Sequence, residues 1–227
     1  MFHQIKSLVN RLYNHIFFYS YRSKPTREVF EDIYQRKRWS GESFSGPGSD
    51  LEETRIVRKS LKEVTNRYNI ESILDIPCGD WFWMQHVDLS DVRYTGADIV
   101  EKIVNQDQKY ASENVSFRYL DLLTSDLPRH DLIFCRDCLV HFSYRDIRQA
   151  LGNMVRSGSK YLLTTTFPDH RNYDIVTGNW RPINLEDAPF RFPQPKLIIN
   201  EECKTSNGRY QDKSLALWDL QELKPAV

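Results

Sequence analysis

From residue 72 onward, short apolar runs alternate with stretches of helical periodicity, and aspartates stand at or just beyond the ends of the first three runs. The runs are 72–76, 92–97, 115–119, 131–135 and 161–165. Between them, Ile103, Val104 and Ala111 recur at helical spacing. Ser143 opens a second such stretch, with Asp146 at the capping-box position and Ile147, Ala150, Leu151, Met154 and Val155 on one face. Strands separated by helices of this length predict βαβ units and a mainly parallel sheet, hence an α/β fold with helices on both faces. Two later apolar runs, 197–200 and 215–220, predict an antiparallel hairpin closing the sheet at one edge.

The segment before the sheet reads differently. Residues 26–36 predict a helix with Val29, Phe30 and Ile33 on one side. The stretch from Ser40 to Ser49 holds three glycines and four serines, which makes a loop with free backbone N–H groups, read as a lid over a ligand. Asp50 with Glu53 predicts a capping box for the next helix, whose apolar residues include Ile56, Val57, Leu61 and Val64. The expected organisation is an N-terminal helical segment and lid over 1–49. A single domain over 50–227 follows, with an insertion at about 168–195 forming an acceptor site. Residues 1–27 carry five basic side chains, no acid and the run Phe17-Phe18-Tyr19. One reading is a helix docked by its aromatic face; the other is a contact with anionic lipid or a partner protein.

Composition excludes several classes. The chain of 227 residues is 40% hydrophobic, enough for a sizeable core. Lysine plus arginine and aspartate plus glutamate both count 31, so nothing marks a generally basic nucleic-acid binder. Four cysteines, Cys78, Cys135, Cys138 and Cys203, are too few for a disulfide framework and read as reduced thiols of a cytoplasmic protein. The pair Cys135 and Cys138 lacks a second pair or a histidine at ligand spacing, so no metal is expected. Neither the Gly-x-Gly-x-x-Gly dinucleotide fingerprint nor a P-loop occurs.

Chemistry gathers at the strand ends. Asp75 ends the first strand in Asp75-Ile76-Pro77-Cys78-Gly79-Asp80-Trp81, Asp98 follows the second, and Asp121 with Leu122 follows the third. Ligands of open α/β sheets bind beyond the carboxyl ends of the strands, and an acid after the second strand suits the two hydroxyls of a ribose. The turn at Gly79 lets backbone approach a ligand closely.

From about Ser72 to Phe167 this pattern resembles the class I S-adenosylmethionine-dependent methyltransferases. The resemblance implies their Rossmann-like methyltransferase fold and S-adenosylmethionine as cofactor. By the same resemblance Asp75, Cys78, Gly79 and Trp81 lie at the methionine half, Asp98 at the ribose, Asp121 and Leu122 beside the adenine, and Arg136 and Asp137 facing the methionine and the methyl group. Pro77 and Trp81 stand where the commoner Gly-x-Gly-x-Gly turn has its outer glycines. Three further runs, 39–49, 174–185 and 212–218, resemble bacterial methyltransferases associated with surface-polysaccharide and other glycan pathways. The acceptor this implies is a sugar, glycan or related small polar metabolite.

Methyl transfer to a hydroxyl benefits from a general base. His141, four residues past Asp137, is the first candidate; its alternative role is packing under the adenine or capping the helix at Ser143. Asp137 is the second candidate base, or a contact to the cofactor's amino group. Asp169 and His170 after the fifth strand, and Trp180 with Arg181 in the insertion, are candidate acceptor contacts, since an aromatic face beside a guanidinium suits an acidic sugar. Trp83 is assigned to packing. The rival readings are methylation of a protein or an unrelated small molecule, and a non-catalytic binding subunit on the same fold.

Overall fold

The computed structural model describes residues 18–39, 41–204 and 208–223. Among the described residues, helices α1 (Thr26–Gln35), α2 (Arg55–Tyr68), α3 (Glu101–Asp107) and α4 (Tyr144–Arg156) accompany a seven-stranded sheet. Its strands are β1 (Ser72–Asp75), β2 (Arg93–Asp98), β3 (Val115–Tyr119), β4 (Leu132–Cys135), β5 (Tyr161–Thr166), β6 (Leu197–Asn200) and β7 (Ser214–Asp219). The order is β3-β2-β1-β4-β5-β7-β6. β1 to β5 pair in parallel, and β7 pairs antiparallel with both β5 and β6. The predicted α/β class, the five parallel strands and the edge hairpin all stand.

Period-two alternation decides which helix packs where. Ile73, Leu132, Phe134, Leu163, Leu215 and Leu217 share one buried cluster with Val57, Leu61 and Val64 of α2 and Val104 of α3. Leu74, Ile133, Leu162, Ala216 and Trp218, one position over, share the other with Ile147, Ala150, Leu151 and Met154 of α4. The central strands are buried on both faces, as parallel strands between helices must be. α1 packs separately: Val29 and Ile33 form a third cluster with Tyr21, against which Phe18, Phe30, Trp39 and Val176 lie.

The caps differ in outcome. Ser143 caps α4, its hydroxyl accepting from the Asp146 N–H at 3.2 Å. The Asp146 carboxylate does not complete the box; it accepts the Thr177 hydroxyl instead. The capping box expected at Asp50 does not form. α2 begins only at Arg55, after Thr54, and the Asp50 carboxylate turns back to accept the Glu42 N–H at 2.7 Å. A loop carrying its own unpaired N–H groups competes for that acid more strongly than a helix start four residues away. Of the N-terminal aromatic–basic segment, residues 1–17 lie outside the described residues. Phe18 packs edge-on to Tyr21. Among the described residues no helix is long and apolar enough to cross a membrane.

Candidate active site

β1 and β4 are neighbours at the centre of the sheet, and the chain runs outward in opposite directions from them: to β2 and β3 on one side, to β5 and the hairpin on the other. This is the point where strand order reverses, where loops leave a crevice at the carboxyl edge. A cavity opens there, with about 1070 Å³ of free space including its mouth. Asp75, Asp98 and Asp121 all line it, as do Cys78, Gly79, Leu122, Arg136, Asp137 and His141. Carboxylates at three successive strand ends therefore face one cavity.

Their environments differ. Asp75 is buried, and burial pushes its carboxyl up to about 8, against the opposing hydrogen bond from the Tyr94 hydroxyl. Asp98 is also raised by burial, to about 6, while the backbone N–H groups of Val100 and Gly79, at 2.8 and 3.2 Å, work against the rise. Asp121 accepts the Leu123 N–H and the Thr124 hydroxyl, both at 2.8 Å, and so closes the turn after β3. Burial raises the Cys78 thiol well above its usual range, which leaves it a neutral wall.

The turn after β1 corrects one expectation. Gly79 and Trp81 both adopt positive φ, 58° and 52°. This double left-handed turn sets the Trp81 indole among Tyr94, Tyr110 and Phe117, inside the core and off the cavity lining. Trp83, expected to be packing, lines the cavity instead, edge-on to Phe134 and 5.6 Å from the Arg136 guanidinium. Two tryptophans two residues apart exchange roles because the backbone between them is not helical.

The wall opposite the sheet comes from the N-terminal segment: Thr26, Phe30 and Tyr34 of α1, then Trp39, Phe44, Ser45 and Ser49. The loop 41–50 is held at the β1 turn by Asp80, which accepts the Ser43 hydroxyl at 2.7 Å and the Phe44 N–H at 2.9 Å. Approach to Gly79 is so close that a Cβ there would lie 2.2 Å from the Ser45 Oγ. The helix and loop expected to precede the domain thus supply its outer wall.

Past β4, Arg136 and Asp137 belong to a buried network. The Arg136 guanidinium donates to both oxygens of Glu201, at 2.7 and 3.3 Å, and to the Gly48 carbonyl at 2.8 Å. The Lys213 ammonium meets Asp137 at 2.7 Å and Glu201 at 3.3 Å. Burial acts to raise Asp137, but Lys213 and Arg136 hold its carboxyl at about 2. Neither Glu201 nor Lys213 was singled out from sequence. The available signal was a pair of opposite charges flanking the two hairpin strands at the end that abuts the β4 turn.

His141 stands in a short turn after Asp137. Its Nδ1 lies 2.8 Å from the Asn179 carbonyl, and its ring stacks obliquely on Trp39, centroids 4.7 Å apart. Burial pushes its pKa down to about 4. The insertion lies behind this turn. Arg181, fully buried, donates to the carbonyls of Leu139, Phe142 and Tyr173, and the Gly178 N–H donates to the His141 carbonyl. The expected contact of Arg181 with an acceptor is therefore corrected. The guanidinium is consumed by three carbonyls, and burial lowers its pKa to about 10. Trp180, Asp169 and His170 do not line the cavity either. Trp180 packs on Phe167 and Tyr210, His170 meets Asp212 at 2.9 Å, and the Asp169 N–H donates to that same carboxylate. The four cysteines are buried free thiols.

The lining suits a cationic cofactor bearing an adenosine. It offers carboxylates, a glycine at closest backbone approach and aromatic walls, and its one guanidinium is already neutralised. Comparison with known proteins agrees. The methyltransferase domain family matches residues 73–158. Magnesium protoporphyrin IX methyltransferase from Synechocystis PCC 6803, solved with bound S-adenosylmethionine, superposes with a TM-score of 0.59 at 13% identity, covering 87% of this chain and 98% of that one. N-methyltransferase NodS from Bradyrhizobium japonicum WM9 gives 0.54 at 15% identity, covering 76% and 98%. At such identity the likeness is one of fold. No curated protein sequence matches the chain. Residues 73–158 thus match the methyltransferase domain family, and the chain has the Rossmann-like methyltransferase fold of these solved structures.

Proposed function

We propose that this methyltransferase acts on an oxygen of a sugar, glycan or related small polar metabolite, with His141 as the general base. The observation that carries the reading is the His141–Asn179 hydrogen bond. A carbonyl oxygen only accepts, so Nδ1 carries the proton and Nε2 keeps its lone pair. The depressed pKa keeps the ring neutral at pH 7, ready to take a proton at Nε2.

S-adenosylmethionine, when bound, supplies a methyl group on a positively charged sulfur. Asp75, Cys78, Gly79, Trp83, Asp98, Asp121 and Leu122 are the residues that would hold it. The remaining work falls to the acceptor side. Asp137 is too strongly paired to serve as base, and its role in this reading is to orient a hydroxyl or an amino group. Phe30, Trp39 and Phe142 surround His141 with aromatic faces, which suit a ring with one apolar side. Among the described residues the one guanidinium of the lining, Arg136, is paired with Glu201, which favours a neutral reacting end over a phosphate or carboxylate. The aromatic enclosure also keeps water from competing for the methyl.

The test is turnover by the full chain on a panel of sugars, oligosaccharides and sugar nucleotides, read by product mass. His141→Ala is expected to lower kcat by about 10²–10⁴, the usual worth of a general base. Transfer only to a protein or an amine would move the acceptor assignment. Absence of calorimetric heat with S-adenosylhomocysteine would point to a non-catalytic subunit.

A further inference from the structure

The loop 41–50 is joined to the sheet at two places. At the β1 turn Asp80 takes the hydroxyl of Ser43 and the N–H of Phe44. At the β4 turn Arg136 donates to the Gly48 carbonyl at 2.8 Å. The second attachment is unusual in what stands behind it. Arg136 has 4% of its side chain exposed, Glu201 1% and Lys213 9%, and of the group only Asp137, at 26%, reaches solvent. Two cations and two carboxylates balance there. Glu201 closes β6 and Lys213 precedes β7, so both partners come from the edge hairpin, far from the loop in sequence.

We propose that Glu201 and Lys213 are positioning residues that hold the 41–50 loop closed over the cofactor crevice, acting through Arg136. The proposal rests on the crevice being the S-adenosylmethionine site. Glu201 grips Arg136 through two of its nitrogens and so aims Nη2 at Gly48. Lys213 shares the Asp137 oxygen that Arg136 Nη1 also approaches, at 2.7 against 3.2 Å. With Lys213 present, Asp137 does not need the guanidinium and leaves it to the loop. Without Lys213, one guanidinium would have to serve both the buried Glu201 and the partly exposed Asp137, and the bond to the neutral Gly48 carbonyl is the weakest of its contacts. The fit on the loop side is equally close, since a Cβ on Gly48 would lie 3.1 Å from the Asp137 Oδ2. Ser45 and Ser49 on either side of that attachment line the crevice, so moving the attachment opens the ligand's outer wall.

The experiment uses the full chain and S-adenosylhomocysteine as the probe. Binding is measured by calorimetry, and loop closure by the rate of chymotrypsin cleavage after Phe44 with and without the probe. Lys213→Met and Glu201→Asp are expected to raise Kd at least fivefold and to abolish protection of Phe44 by the probe. Lys213→Arg, which keeps the charge, is expected within twofold of the parent chain. Glu201→Asp conserves every charge and decides the matter if Lys213→Met fails to fold. Parent-like Kd and protection in folded Glu201→Asp would overturn the proposal, as would Lys213→Arg binding as weakly as Lys213→Met. No binding by the parent chain overturns instead the reading of the crevice, and this proposal with it.

Discussion

Single residues in this crevice are set against their own ionisation. Asp75 is the strongest case. Its folded pKa of about 8 lies far above the ordinary carboxyl value of 3.8, chiefly through burial. A raised folded pKa gives stability that is full below the unfolded value and is lost as pH rises through the folded one. Between about pH 5 and 7 the ligand-free protein is therefore expected to lose stability steadily from this group, on the order of 1 kcal/mol per pH unit, with the slope fading near pH 8. Asp75→Asn should flatten that slope in thermal melts. His141 runs the other way. Its depressed pKa means the protonated form appears only as pH falls toward 4, so turnover should show no acid limb from this group between pH 6 and 8. The two tryptophans offer a third test. Trp83→Ala should weaken S-adenosylhomocysteine binding in calorimetry by tenfold or more, because it removes a wall of the crevice. Trp81→Phe should leave binding within twofold, since the side chain packs among Tyr94, Tyr110 and Phe117 and does not line the crevice.

At the scale of elements, the insertion has a different task from the one its composition suggests. Trp180 and Arg181 read as a sugar platform because an indole beside a guanidinium is what acidic sugars favour. Folded, segment 173–181 braces the turn that carries His141: three carbonyls of neighbouring loops converge on one buried guanidinium. Arg181→Met should cost about 1–3 kcal/mol in denaturant unfolding, the range for leaving a buried carbonyl acceptor unsatisfied. α1 was legible as a helix, and the serine- and glycine-rich stretch 40–49 as a loop. Their use as the crevice wall was legible only in outline, because which residues face inward depends on where the loop is tied, and the ties to Asp80 and Arg136 span tens of residues.

For the whole molecule, the two-sided sheet makes the crevice a rim feature of a rigid core. Trp218, fully buried on β7, and the leucines of β4 and β5 fix the strands from which every site loop departs. Occupying the crevice should stabilise the fold as a unit. S-adenosylhomocysteine at a hundred times its Kd should add about 2.7 kcal/mol, seen as a rise in Tm of about 5–11 °C for a chain of this size.

The sequence by itself determined the strands, the mainly parallel sheet, the hairpin and the row of acids, because strand and helix are written in periods of two and 3.6 that neighbours along the chain impose on one another. It also determined that Asp75, Asp98 and Asp121 would share an edge, since every parallel strand of a βαβ series ends on the same side. Only the tertiary structure decided which tryptophan meets the cavity, because Trp81 itself sits at a positive φ, which breaks any helical period running on to Trp83. It alone brought Glu201 and Lys213 to Arg136 and Asp137, and buried Arg181 behind His141. Charge pairing in a dry interior depends on distance in space, and residues 65 or 76 positions apart leave no local pattern by which to find one another.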